Sequence, residues 1–171
     1  LETEKQALAL LCVRECGKTL ADSLDEIREA VDFCYYYGTQ ATALSSGKSI
    51  QPKARGIIVC ISPWNFPLAI FIGQIIAALL AGNRVLAKPS SCSSLTASFV
   101  ASLLRRAGFN ESVFQLVLCP GRCLAPLLAD QEISGVLFTG SSASAQHIWP
   151  QLLQYKNRLP LFIAETGGQN A

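Results

Sequence analysis

The sequence contains no methionine, a single histidine (His147), and charged side chains at only 15% of its 171 positions. With one imidazole and no Cys-x-x-Cys spacing, little material is available for a metal site, and none is expected. No apolar run reaches the roughly 20 residues that span a bilayer. The nearest, Phe66 to Ala81, covers 16 residues and includes Gln74. The net charge of +2 is too small to mark nucleic acid or an acidic membrane surface as a partner. The opening residues, Leu1-Glu2-Thr3-Glu4-Lys5, lack the basic and apolar regions of a signal peptide. Neither the Gly-x-Gly-x-x-Gly fingerprint nor the P-loop pattern is present. A chain that opens without an initiator Met and stops on Gly168-Gln169-Asn170-Ala171 is expected to be a fragment.

What is present fits one globular unit. Half of the residues are apolar, which excludes a disordered chain, and the length suits about one domain. Acids are unevenly placed. Residues 1–55 hold Glu2, Glu4, Glu15, Asp22, Asp25, Glu26, Glu29 and Asp32, and the rest of the chain holds only Glu111, Asp130, Glu132 and Glu165. Much of 56–171 is therefore expected to be covered, by the domain itself or by further protein. The seven cysteines are odd in number and irregularly spaced. They read as reduced, mostly buried thiols of a cytoplasmic protein.

Periodicity divides the chain into an N-terminal helical lead-in with a connector (1–54) and an α/β layer (55–171). Residues 3–16 read as a helix. Asp22 to Tyr37 reads as a second, with Leu24, Ile27, Val31 and Cys34 as its apolar stripe and Gly38 as its end. Thr39 to Pro52 reads as a polar connector. Beyond Arg55, short apolar runs expected as strands (57–61, 84–88, 113–118, 135–139, 159–164) alternate with helices (68–80, 94–107, 124–129, 142–155). That alternation predicts a parallel, doubly wound, Rossmann-like sheet.

Ligands of such sheets bind at the carboxyl ends of the strands. The rule selects five loops: Ser62-Pro63-Trp64-Asn65, Lys88-Pro89-Ser90-Ser91, Pro120-Gly121-Arg122, Thr139-Gly140-Ser141-Ser142 and Glu165-Thr166-Gly167-Gly168. Lys88 places a cation at a strand end. Gly140 and Ser141 open a helix, where backbone N–H groups hold phosphate. Glu165 ends an apolar strand, a setting that raises a carboxyl pKa and suits a general base. Taken singly, each also has an ordinary reading: a solvated lysine, a helix cap, a turn asparagine, an exposed acid. A non-catalytic nucleotide-binding module stays open as the alternative.

In combination, Ile61-Ser62-Pro63-Trp64-Asn65-Phe66-Pro67, Gly82 to Ser90, Phe138-Thr139-Gly140-Ser141 and Glu165-Thr166-Gly167-Gly168 closely resemble the aldehyde dehydrogenase superfamily. The form Glu165 to Ala171, with the lead-in Glu15 to Phe33, resembles the L-glutamate γ-semialdehyde dehydrogenase part of bacterial bifunctional proline-catabolic enzymes. The resemblance implies NAD-dependent oxidation of the semialdehyde to glutamate through a cysteine nucleophile. Asn65 would stabilise the oxyanion and Glu165 would activate water or contact the cofactor. Ile61, Ser62, Pro63, Trp64, Lys88, Ser90, Ser91, Gly121, Phe138, Thr139, Gly140, Ser141, Ser144, Thr166 and Gly167 would line the NAD cleft. FAD is implied only for a proline dehydrogenase domain elsewhere in a homo-oligomeric parent. The family nucleophile lies some tens of residues past the Glu motif, so this chain alone is expected to be inactive. The family usually has a Glu where Ser91 stands, which leaves NAD or NADP preference open.

Overall fold

The computed structural model describes residues 1–46, 53–154 and 159–167. After a single turn at Glu2–Glu4 come α1 (Lys5–Cys16) and α2 (Leu20–Ser46). Then β1 (Ile57–Ile61), α3 (Ala69–Leu80), β2 (Arg84–Lys88), α4 (Ser94–Arg106), β3 (Phe114–Leu116), α5 (Ala125–Ala129), β4 (Ile133–Gly140), α6 (Ser142–Leu153) and β5 (Leu161–Thr166) follow. The five strands form one parallel sheet in the order β3-β2-β1-β4-β5. This is the doubly wound α/β architecture that the alternation of apolar runs predicts.

Each face of the sheet carries its own core. Because successive strand residues point to opposite faces, Ile58 and Cys60 of β1 join one cluster with Val85, Ala87 and Phe114. Val59 and Ile61 join the other, with Val136 and Phe138. The first face is covered by α3 and α4, and α1 and α2 pack outside them. Leu8, Cys12, Ile27 and Ala30 of the lead-in belong to the same cluster as Ile58 and Val85, so lead-in and sheet share a core. Phe71 and Phe114 are fully buried there, and burial of a side chain that size contributes roughly 1.5–3 kcal/mol. The second face is covered by α5 and α6 through Leu124, Leu128, Ile148 and Leu152.

Two expectations for the lead-in need correction. Gly38 does not end α2, which runs on to Ser46. Gly38 is not among the positive-φ glycines. The hydroxyls that made 39–46 look like a connector instead donate to carbonyls of the preceding turn: Thr39 to Tyr35 (2.9 Å), Thr42 to Gly38 (3.0 Å) and Ser45 to Ala41 (2.9 Å). The rest of the expected connector, 47–52, lies outside the described residues. The buried face of α2 is also rotated. Ser23, Glu26, Ile27 and Ala30 are buried, whereas Leu24, Val31 and Cys34 are half-buried. Gly73 allows this close approach of α2 to α3: a Cβ there would lie 2.9 Å from the Phe33 ring. Helix α6 carries Pro150 in its last turns and still reaches Leu153.

Candidate functional site

The strand register brings the sequence motifs to one edge. Ile61, the last residue of β1, pairs with Lys88 on one side and Phe138 on the other. Across β4 and β5, Phe138 pairs with Ala164, Thr139 with Glu165 and Gly140 with Thr166. The Ser62 N–H donates to the Lys88 carbonyl at 3.3 Å and fixes the exit of β1 beside the end of β2. The chain leaves β1 toward β2 and later returns on its other flank as β4. Such a reversal opens a crevice at the carboxyl ends of the central strands.

Two sides of the sheet contribute to that edge. Alternation from Leu86 and Phe162, which pack with the α5/α6 cluster, puts Lys88, Phe138 and Ala164 on the α5/α6 face. Thr139 and Glu165 fall on the α3 face. The edge is thus shared, but Lys88 and Glu165 approach it from opposite sides. Gln74 of α3 ties the centre together, donating from Nε2 to the Ile61 carbonyl (3.3 Å) and to Thr139 Oγ1 (3.1 Å). Its Oε1 and the Ser62 Oγ are buried without a hydrogen-bond partner.

The individual side chains differ in setting. Lys88 is 7% exposed. Burial pushes its pKa below the ordinary 10.5, and the Cys119 thiol acts in the opposite sense. Among the described residues no carboxylate lies within ion-pair reach of it. A Cβ at Gly140 would sit 2.7 Å from Phe138 Cζ, so any larger residue there would have to displace that ring. Ser141 caps α6, its Oγ accepting from the Ser144 N–H (3.2 Å) and donating to Ser144 Oγ (2.9 Å). Ser90 Oγ accepts from the Cys92 N–H (3.3 Å) and starts the turn after β2, while Ser91 is exposed. Trp64 and Asn65 are exposed on the loop after β1, beside half-buried Pro63. Gly121 is exposed in a turn after the outer strand β3, furthest along the sheet from the switch point.

Its place at the end of an apolar strand does not bury Glu165. Here Glu165 and Thr166 are exposed on the edge strand β5. Gly167 follows with φ +98°, a backbone state that favours glycine. Residues 168–171 of the motif lie outside the described residues. A cavity of about 470 Å³ occupies the opposite end of the sheet, between Arg55, Arg84, Glu132 and Pro160. Gly82 and Arg84, from the start of the Gly82–Ser90 motif, line it, but none of the candidate catalytic or cofactor-binding residues does.

Several residues around the edge went unnoticed in the sequence. Glu26, 3% exposed, reaches from α2 to the start of α3 and accepts from the Leu68 N–H (3.0 Å) and the Ala69 N–H (3.3 Å). Lys18 Nζ pairs with Glu26 Oε1 at 2.7 Å, donates to the Asn65 carbonyl at 3.0 Å and lies 4.5 Å from the Phe66 ring centre. Glu15 does the same for α4, accepting from the Leu95 N–H (2.6 Å) and from the N–H and hydroxyl of Thr96 (both 2.7 Å). Tyr37 of α2 has its phenol pKa raised by burial, by Tyr36 and by the charge of Glu165. Glu26 lies off the apolar stripe that the sequence shows for α2, so nothing local marked it; in the structure it is buried with Ser23, Ile27 and Ala30.

A five-stranded parallel sheet in the order β3-β2-β1-β4-β5, covered by helices on both faces, defines a doubly wound α/β protein. A sequence model of the aldehyde dehydrogenase family matches residues 1–171, and the chain belongs to that family. It is 47% identical to the bifunctional protein PutA of Salmonella typhimurium, over 100% of this chain and 13% of that protein. It is 31% identical to the 1-pyrroline-5-carboxylate dehydrogenase of Staphylococcus epidermidis, over 100% of this chain and 36% of that protein. A crystal structure of Bradyrhizobium japonicum PutA (mutant D778Y) superposes with a TM-score of 0.91 at 44% identity, covering 98% of this chain and 18% of that one. The chain thus spans about an eighth of the PutA relative it matches. Among the described residues no helix is long and apolar enough to cross a membrane.

Proposed function

We propose that residues 55–171 form part of the NAD-binding layer of a dehydrogenase that oxidises L-glutamate γ-semialdehyde to glutamate in proline catabolism, with residues 1–54 as its structural lead-in. The observation that carries this reading is the register itself. It sets Ile61, Lys88, Phe138, Gly140 and Glu165 along one edge, on both sides of the switch point. Likeness to PutA and to a 1-pyrroline-5-carboxylate dehydrogenase supports the substrate class.

The residues fit a dinucleotide on physical grounds. A buried cation without a carboxylate near it, a helix start capped by a neutral serine, and two unpartnered buried polar oxygens suit an anionic ligand rich in hydroxyls. Lys88, with Ser90 and Ser91 beside it, would hold the adenosine ribose. Ser141 and Ser144 would receive the pyrophosphate at the start of α6, with Gly121 at the periphery. Ile61, Ser62, Pro63, Trp64, Phe138, Thr139 and Gly140 would form the walls, and Thr166 and Gly167 the far rim. When bound, NAD supplies a hydride acceptor.

The chain's own groups then have definite tasks. The Asn65 amide donates toward the oxygen on which negative charge develops. Glu165 takes a proton from water, or chiefly orients the cofactor. The thiol chemistry is assigned to sequence beyond this chain. Burial raises the pKa of Cys60 and of Cys34, which lies one turn before Tyr37, the reverse of what a nucleophile needs. The test is NADH formation, followed at 340 nm, from the semialdehyde. The longer gene product that carries this chain should be active, and Asn65→Ala should cut its kcat about a hundredfold. The 171-residue chain should form no NADH. Turnover by that chain alone, or a longer product that binds NAD and never turns over, would replace this reading. The latter outcome is the non-catalytic module.

A further inference from the structure

We infer that the lead-in helices position the two loops of the site through carboxylate clamps: Glu26 with Lys18 sets the Asn65 loop, and Glu15 sets the Lys88–Ser91 loop. The inference rests on the roles proposed for Asn65 and Lys88.

The geometry is specific to these loops. The Asn65 loop joins β1 to α3, and Leu68 at the head of α3 offers no side-chain cap of its own. Glu26 fills that place from α2 with one carboxylate oxygen on two N–H groups, while its other oxygen pairs with Lys18. The same ammonium grips the Asn65 carbonyl and covers Phe66. The loop is therefore tied at residue 65, at residue 66 and at its junction with α3, all to the lead-in. Its first residue is held separately, by Ser62 N–H on the Lys88 carbonyl. Loosening the clamp should thus displace the Asn65 end more than the Ser62 end. After β2 the arrangement repeats. Helix α4 has no side-chain cap from Ser93, and Glu15 of α1 fills it through Leu95 and Thr96.

A carboxylate at a helix N-terminus is favourable in itself. Here Glu26 is delivered from α2 to the junction of the Asn65 loop with α3. Glu15 is delivered from α1 to the first turn of α4, one 3-10 turn (Ser91–Ser93) past Lys88–Ser91. The start of each helix and the loop leading into it are thus anchored together. Neither Glu26, Lys18 nor Glu15 is assigned a contact with substrate or cofactor; they act as positioning residues.

Two variants in the longer gene product separate the clamps. Lys18→Met with Glu26→Gln removes the ion pair without leaving either charge buried alone. It should lower kcat/KM for the semialdehyde about tenfold and shift the KM for NAD less than about twofold. Glu15→Gln should do the converse, raising the KM for NAD about fivefold with kcat within about twofold. Lys18→Arg, which keeps the cation, should retain at least about half of the activity. Hydrogen exchange should lose protection at Leu68 and Ala69 in the first variant, and at Leu95 and Thr96 in the second, each without the other. Variants that only melt earlier, or that change both kinetic parameters by one common factor, overturn the proposal. If the unaltered protein forms no NADH, the functional reading fails. Exchange then still decides between local clamps and a general loss of protection.

Discussion

On one face of the sheet, α3 and α4 begin against carboxylates supplied by α2 and α1; on the other, α6 begins against the neutral hydroxyl of Ser141. The contrast extends to lysines. Lys18, on the first face, is paired with Glu26, whereas Lys88, whose side chain lies on the second, is buried with no carboxylate within ion-pair reach among the described residues. A helix N-terminus carries partial positive charge wherever it occurs. Filled by a protein carboxylate, it becomes a joint. Capped only by a hydroxyl, it retains a field that favours an anion. One physical device therefore serves as structure on one face and, in the proposed reading, as a binding site on the other.

The largest effect that tests this contrast is expected from Glu26→Leu. The substitution leaves the Lys18 ammonium, only 12% exposed at its side chain, without its partner, and two N–H groups of α3 without an acceptor. Stripping one partner from a buried ion pair costs about 3 kcal/mol or more. The urea midpoint should fall accordingly at constant slope. A loss below about 1 kcal/mol would put Glu26 on a par with an ordinary surface acid and erase the contrast.

Lys88→Met is expected to act in the other direction on stability. It removes a charge that burial disfavours, so the folded state should be unchanged or firmer, while NAD affinity should fall about tenfold. The pH profile supplies a second readout. Because the folded pKa of Lys88 lies below the ordinary 10.5, the unfolded chain binds more protons between those two values. Stability therefore rises with pH across that window. The penalty is in full force below the folded pKa and is relieved by the time the unfolded lysine titrates. The difference between wild type and Lys88→Met should thus shrink as pH rises toward 10.5. Thiols such as Cys12, pushed up to about 12 by burial and by the Glu26 charge, titrate alike in both proteins and cancel. Thermal melts of the pair at several pH values check this. A constant difference would mean that Lys88 is not desolvated.

The two faces were not equally legible in the sequence. The strands were, because a segment buried on both sides must be apolar throughout, and Ile57 to Ile61 and Arg84 to Lys88 are found where the runs place them. Which ends of the strands carry the candidate residues followed from parallel topology, but Thr139, Gly140, Glu165 and Thr166, expected in loops, lie within β4 and β5. The clamps were not legible. Glu26 meets Leu68 across 42 positions and Glu15 meets Leu95 across 80, and no local periodicity encodes a partner that distant. The extension of α2 past Gly38 was hidden for a different reason. Serine and threonine hydroxyls serve equally in turns and, bonded back to the preceding turn, within a helix. Of the two settings the sequence left open for Glu165, the exposed one is found, because apolar neighbours along a strand do not bury a position on an edge strand.

The smallest effect is expected from Ser141→Ala, and it completes the comparison from the other face. The Ser141 hydroxyl satisfies a single N–H, that of Ser144, at 3.2 Å, and no buried ion depends on it. Loss of such a cap costs about 1 kcal/mol, roughly a third of the expectation for Glu26→Leu. The ligand response should be larger than the fold response. With the hydroxyl gone, the α6 start keeps its backbone N–H groups but loses the donor nearest the proposed pyrophosphate. Wild type should therefore gain more thermal stability from saturating NAD than Ser141→Ala does, by an amount that added salt diminishes. A Ser141→Ala loss as large as that of Glu26→Leu, with equal stabilisation of both proteins by NAD, would show that α6 is a joint like α3 and α4. The proposed anion site on this face would then have no basis.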